Sequence, residues 1–203
     1  MDTQIKLEEL FAHFPGIGPR QARRFVYYLL SRSPASIKEL VQLIEEVKKS
    51  SHECEKCRRF YIQGSIKGAI CSICADSNRD HSLLMIVARD SDFESVEKSG
   101  VYKGLYFILG GTVPILDKEP DKRIRLKTML ERISSSPNLK EVILSLNTTP
   151  DGEHTEMIVK DAIKQIIESK PIKISVLGRG LSTGAELEYV DQETIRNALD
   201  NRR

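Results

Sequence analysis

At 203 residues, with 40% hydrophobic and 30% charged side chains, the chain has the size and composition of one or two folded domains with real cores. A net charge of +2 excludes a protein that coats nucleic acid through overall basicity, and no apolar run approaches a membrane span. Residues 1–80 carry 13 Lys and Arg against 10 Asp and Glu while the remainder is slightly acidic, so a nucleic-acid site is expected as a local patch near the N-terminus. The opening stretch, with Asp2, Glu8 and Glu9, does not read as a signal peptide, and a cytoplasmic location is expected.

The first elements form a helix pair. Leu7, Leu10, Phe11 and Phe14 keep helical spacing, and Ala22, Phe25, Val26 and Leu29 repeat it. Between them lies Pro15-Gly16-Ile17-Gly18-Pro19. Two glycines allow positive φ, and Pro19 suits a first helical turn. The result is a tight helix–hairpin–helix whose backbone N–H groups open at a helix N-terminus, a ready phosphate site. Arg20, Arg23 and Arg24 follow at once, and no Asp or Glu occurs from Leu10 to Lys38. An ordinary antiparallel helix pair needs no ligand. The agreement of hairpin, charge and missing acids favours DNA-backbone binding through Gly16, Gly18, Arg20, Arg23 and Arg24, a contact that positions without reading sequence.

Ser33-Pro34 reads as a break, and Ser36-Ile37-Lys38-Glu39 as a capping box opening a third helix. Its apolar face, Ile37, Leu40, Val41, Ile44 and Val47, is expected to pack on the hairpin. Phe25, Tyr28 and Leu29 exceed what one neighbouring helix covers, which points to a homo-oligomer.

All four cysteines follow, as Cys54-x-x-Cys57 and Cys71-x-x-Cys74 with thirteen residues between the pairs. Two short knuckles converge four soft thiolates on one tetrahedral ion, expected to be one structural Zn²⁺ per protomer with no open coordination position. Disulfides or redox pairs are the competing readings; a reducing compartment and the symmetric doubling disfavour them. His52 is read as a solvated neighbour, and Lys56, Arg58 and Arg59 as charges offsetting the thiolates.

Beyond residue 80 strands and helices alternate, which implies an α/β module with a parallel sheet covered on both faces. Strands are expected at Leu83–Val87, Leu105–Leu109, Val142–Leu146 and Ile172–Leu177. Helices are expected after Ser91, ending at Gly100, over Asp121–Ile133, over Thr155–Glu168, and after Asp191, which follows a glycine loop and a short Leu187–Val190 segment. Ligands of such sheets meet the loops at the carboxyl ends of the strands. There lie Asp90 and Asp92, and Asp151-Gly152-Glu153. Converging, they would hold Mg²⁺ for phosphoryl transfer; otherwise Asp90 and Asp92 complement a helix N-terminus and Asp151-Gly152 is a turn. The Gly178–Gly184 loop lacks the Lys-Ser/Thr of a phosphate-binding loop and reads as a turn.

The hairpin resembles the helix-hairpin-helix motif of DNA-repair proteins, and the α/β module looks like a Toprim domain. Their order around a four-cysteine finger resembles the bacterial recombination mediators of the RecR family. So do the stretches Gly100-Val101-Tyr102-Lys103-Gly104 to Gly111 and Leu146-Asn147-Thr148-Thr149-Pro150-Asp151-Gly152-Glu153. So does the closing Gly180-Leu181…Gly184-Ala185-Glu186-Leu187-Glu188-Tyr189-Val190-Asp191. The resemblance implies modules at 1–51 (hairpin), 52–78 (zinc finger), 79–178 (Toprim) and 179–203 (C-terminal segment). It implies a non-enzymatic protein of DNA recombination and repair, forming dimers or tetrameric rings. Such a protein acts with RecF and RecO to help load RecA on gapped, single-strand-binding-protein-coated DNA. Asp90, Asp92, Asp151 and Glu153 then become partner-docking residues. Toprim enzymes carry a general acid/base glutamate at the end of the first strand. The matching position is Ala88, which can neither move a proton nor bind metal. A Mg²⁺-dependent Toprim nuclease or primase-like phosphoryl transferase is the alternative that this alanine opposes.

Overall fold

Helix signals and apolar runs divide the chain where its packing divides. The computed structural model describes residues 2–62, 69–117, 119–167, 170–178, 180–181, 184, 186–200 and 202. It separates into two units, Met1–Ser51 and His52–Arg203.

In the first unit, α1 (Thr3–Ala12) is capped by the Asp2 side chain, which accepts from Gln4 N–H. It packs against α2 (Pro19–Leu30), with the Phe11 ring edge-on to Phe14 and Phe25 at 5.5 and 5.8 Å. Ala22 and Val26 are the buried residues of this pair. The third helix, α3, runs Pro34–Ser50 and so starts before the expected capping box. Ser33 is its N-cap, accepting from Ser36 N–H, and Pro34 is its first residue. The Ser33-Pro34 pair thus opens a helix instead of breaking the chain, because a proline at the first helical position lacks only an N–H that would be unpaired there. The apolar stripe of α3 does not pack on the hairpin as expected: Leu40 is 42% and Ile44 60% exposed.

The second unit opens with a two-stranded sheet of β1 (Ser51–Glu53) and β2 (Phe60–Ile62), followed by the short α4 (Ser72–Ala75). Its core is a four-stranded parallel sheet in the order β4-β3-β5-β6, made of β3 (Asp80–Val87), β4 (Gly104–Ile108), β5 (Glu141–Ser145) and β6 (Lys173–Val176). Leu84 sits opposite Leu105 on one side and Val142 on the other. Around these residues lies the main core, with Phe107, Met129, Ile133, Leu144, Val159 and Ile163. They belong to the sheet and to α7 (Leu126–Ser134) and α8 (Pro150–Ile167). Alternate residues Met85, Val87, Tyr106 and Ile108 face the other way, onto α5 (Asp90–Ser99). That helix stops at Gly100, whose φ of +70° suits a glycine. The second face is only partly covered: Met85, Ile143 and Leu177 border an open apolar groove of about 500 Å³.

Two helices depart from expectation. The 121–133 segment is broken into α6 (Pro120–Arg123) and α7 by extended Ile124, which is buried. Arg125 starts the next helix while its N–H donates to Leu109 C=O (2.8 Å) and its guanidinium reaches Ile108 C=O and Glu53. Helix α8 begins at Pro150, so Asp151-Gly152 lies in a first helical turn and not in a free turn. A Cβ at Gly152 would meet Asn147 C=O at 2.0 Å, so only glycine fits. The chain closes with a 3₁₀ turn (Leu187–Tyr189) and α9 (Gln192–Asp200), capped by Asp191, which accepts from Thr194 N–H at 2.9 Å. Glu168 and Ala185, named in the sequence patterns, lie outside the described residues.

Candidate metal centre and nucleic-acid interface

The four cysteines are buried together, and their sulfurs lie within 4.8 Å of one another. Cys57 Sγ is 3.6 Å from Cys71 Sγ, far beyond a disulfide bond and close to the edge of about 3.8 Å that a tetrahedral metal–thiolate site requires. Local backbone bonds set this up. Arg58 N–H donates to Cys54 C=O (2.9 Å) and Cys54 N–H to Arg59 C=O (2.9 Å), closing the first knuckle. Cys71 N–H donates to Cys54 Sγ (3.3 Å), and Cys71 caps α4, which carries Cys74. Hydrogen bonding from Cys57 and then Cys71 pulls the Cys54 thiol far down, while Cys54 pushes Cys57 up. Four buried sulfurs at this mutual distance fit a metal ion. Among the described residues they are the one cluster of three or more His, Cys, Asp or Glu side chains close enough to share an ion. His52 stays outside, its ring 6.1 Å from that of Tyr61.

The knuckles are tied to the parallel sheet at its carboxyl end. Ile108 N–H donates to Cys57 C=O (2.9 Å), Arg125 pairs with Glu53 (2.9 Å), and the Arg59 guanidinium lies 4.5 Å over the Phe93 ring. Asp90 takes part: its Oδ1 accepts from Phe60 N–H at 2.9 Å. Asp92 accepts from Arg89 N–H (3.0 Å) and so caps its own helix. Asp151 accepts from Ile115 N–H (3.3 Å), and the neighbouring buried Thr155 bridges Val113 N–H and Asp151 C=O. Glu153 lines a separate groove of about 440 Å³ with Thr148, Asp191, Glu193 and Thr194. The four acids thus do not converge on one ion, and Ala88 is fully buried at the end of β3. The roles of Asp90, Asp151 and Thr155 were hidden from sequence because their partners lie 30 to 42 residues away.

In the first unit the hairpin uses its glycines differently from each other. Gly16 has φ +76° and needs to be glycine for that reason. Gly18 has φ −86°, and a Cβ there would meet nothing within 4 Å. The chain itself therefore does not demand glycine at 18; it leaves bare backbone facing open space. The amides of Gln21 and Ala22 are taken by Gly18 C=O (3.0 and 2.9 Å), while Gly18 and Arg20 N–H meet no acceptor among the described residues. Arg20 and Arg24 are exposed, with Arg24 in contact with Gln21 Oε1 at 3.4 Å. Arg23 is paired with Glu8 at 3.3 Å. The acid-free stretch is thus answered by an acid from the facing helix, a contact sequence spacing alone does not reveal.

A paired-helix hairpin, a buried four-thiol centre and a Toprim-like parallel sheet with a C-terminal helical segment define a protein built from nucleic-acid-processing modules. Family models match three of these parts: "RecR, helix-hairpin-helix" over residues 6–48, "Toprim domain" over 82–178 and "RecR, C-terminal" over 180–203. Relatives named "Recombination protein RecR" run the length of the chain. That of Lactobacillus acidophilus is 32% identical over 197 residues, covering 97% of this chain and 94% of the relative. Those of Bifidobacterium adolescentis and Cereibacter sphaeroides are each 35% identical, covering 98% of this chain and 94% of the relative. The chain belongs to the RecR family.

Proposed function

We propose that the protein is a DNA-binding recombination mediator of recombinational repair, working without catalysis of its own. The observation that carries this reading is the hairpin. Bare backbone at Gly18, unclaimed amides at Gly18 and Arg20, and exposed Arg20 and Arg24 form one anion-binding corner. Contacts of this kind hold phosphates of any sequence, with Gly16 shaping the turn and Arg23 contributing from its pair with Glu8. The modules would then be the hairpin (1–51), the finger (52–78), the Toprim domain (79–178) and the closing segment (179–203). The ion of the finger would be one structural Zn²⁺ on Cys54, Cys57, Cys71 and Cys74, the metal four thiolates suit.

The remaining parts serve partners. Asp90, Asp92, Asp151 and Glu153 line the carboxyl edge of the sheet, where a basic surface of RecO or RecF would dock to help load RecA on gapped DNA. The groove beside Glu153 also carries Asp191 and Glu193, acids that suit a basic partner. The open stripe of α3 and the apolar groove of about 450 Å³ at Phe11, Phe14, Phe25 and Leu40 support a homo-oligomer, a dimer or a tetrameric ring. The buried alanine at position 88 and the dispersed acids weigh against a Toprim nuclease or primase-like transferase. No helix among the described residues is long and apolar enough to cross a membrane, and a protein acting in DNA repair in this way would work in the cytoplasm.

The test is a salt titration of DNA binding with the Arg20→Ala/Arg24→Ala double variant. If each arginine meets a phosphate, the log–log slope falls by about 2 and all sequences weaken alike. An unchanged slope and affinity would remove the reading.

A further inference from the structure

Among the described residues, Arg58 is the one non-glycine residue with a positive φ, +63°. It follows Cys57 directly, at a corner where a glycine would sit without strain. Strain kept at one position against an easier residue points to a use for its side chain. The Arg58 guanidinium is poorly answered within the protein. Its Nη1 is 3.9 Å from Glu53 Oε2, while the other oxygen of Glu53 is taken by Arg125 at 2.9 Å. Its Nε is buried with no hydrogen-bond partner among the described residues.

A second arginine repeats this. Arg132, on α7, has a buried Nε with no partner among the described residues and spends one Nη on the neutral Ser136 hydroxyl at 3.3 Å. Both arginines line one groove of about 670 Å³ between the first knuckle and α7, with Lys56, Thr128, Ser135 and Ser136 around them. Glu55 and Glu131 also line it, but both are exposed and screened, whereas the two arginines are half-buried and keep more of their field. A guanidinium fork meets a phosphate with two parallel hydrogen bonds, and hydroxyls complete such a shell. The groove continues past His81 and Asn138 into a second one, of about 700 Å³, that holds Lys140 and Lys170. The acid there, Asp80, is turned onto the Ser82 amide and hydroxyl. A track of cations through two joined grooves fits a chain of phosphates better than one small anion.

We propose that the groove between the first cysteine knuckle and α7 is a second DNA-backbone site, in which Arg58 and Arg132 hold a phosphate. This rests on the DNA-binding reading above and adds to the hairpin a contact on the other unit.

The experiment uses the full chain and a labelled oligonucleotide, titrated over a salt series, with wild type, Arg58→Gly and Arg132→Gln. Arg58→Gly suits the backbone, so its melting temperature holds or rises, which separates lost binding from lost fold. Each variant is expected to lower the log–log slope by about 1 and to weaken all sequences alike. Slopes and affinities unchanged in both, with wild type binding normally, overturn the groove and leave the hairpin reading intact. Wild type failing to bind DNA overturns the hairpin reading and this one with it. Inorganic phosphate provides the second arm: stabilisation by phosphate that Arg58→Gly abolishes, with DNA slopes unchanged, marks a small-anion site and overturns the DNA assignment.

Discussion

The two units answer the same apolar periodicity in opposite ways. In the second, the apolar runs of the sheet find a core inside the chain: Phe107, Leu144 and Ile163 are fully buried between the sheet and its helices. In the first, Ala22 and Val26 are the only buried ones among the described residues, and α3 carries Leu40, Val41, Leu43, Ile44 and Val47 in the open. Periodicity reports which face of an element is apolar. It does not report what covers that face, and the difference between the units is the difference between a core and an open apolar face.

The contrast can be pushed hardest at the cysteines. Cys57→Ser is expected to lose the metal and unfold residues 52–76, since metal affinity in such small knuckles is largely folding free energy, about 10 kcal/mol or more. Elemental analysis and circular dichroism would read both; a metal-free wild type that is fully folded would contradict this. Next comes the sheet core, where Phe107→Ala should cost about 3–5 kcal/mol in denaturant unfolding without changing the oligomer. Its counterpart, Ile44→Asp, should cost less than about 1 kcal/mol in the isolated fold but dissociate the oligomer in sedimentation. An oligomer that survives Ile44→Asp would return α3 to an ordinary solvated helix. The smallest effects lie in the hairpin. Gly16→Ala should cost about 1 kcal/mol, because of its positive φ, whereas Gly18→Ala should leave stability nearly unchanged yet weaken DNA binding. Equal effects of the two on stability would remove the distinction drawn between them.

What could be read before folding follows the same line. The four strands were legible because buried parallel strands are continuous apolar runs, and the metal centre because ligand spacing is local. The break before α7 was not, since it depends on Arg125 reaching Glu53 from 72 positions away. Nor was the Arg23–Glu8 pair, or the N-cap of α3 at Ser33, because Ser33-Pro34 reads as a break when the following helix is not yet placed. At the candidate site the residue types were legible and their employment was not: Asp90 belongs to the docking of the finger as much as to the edge of the sheet.

Ala88 has a consequence for how such chains can diverge. It is fully enclosed at the end of β3, its carbonyl accepting from Gly110 N–H at 3.0 Å. An acid introduced there would enter a fully enclosed position, where burial disfavours its charged form. A route from this sequence toward a Toprim catalyst therefore begins with a less stable protein and no gain in chemistry.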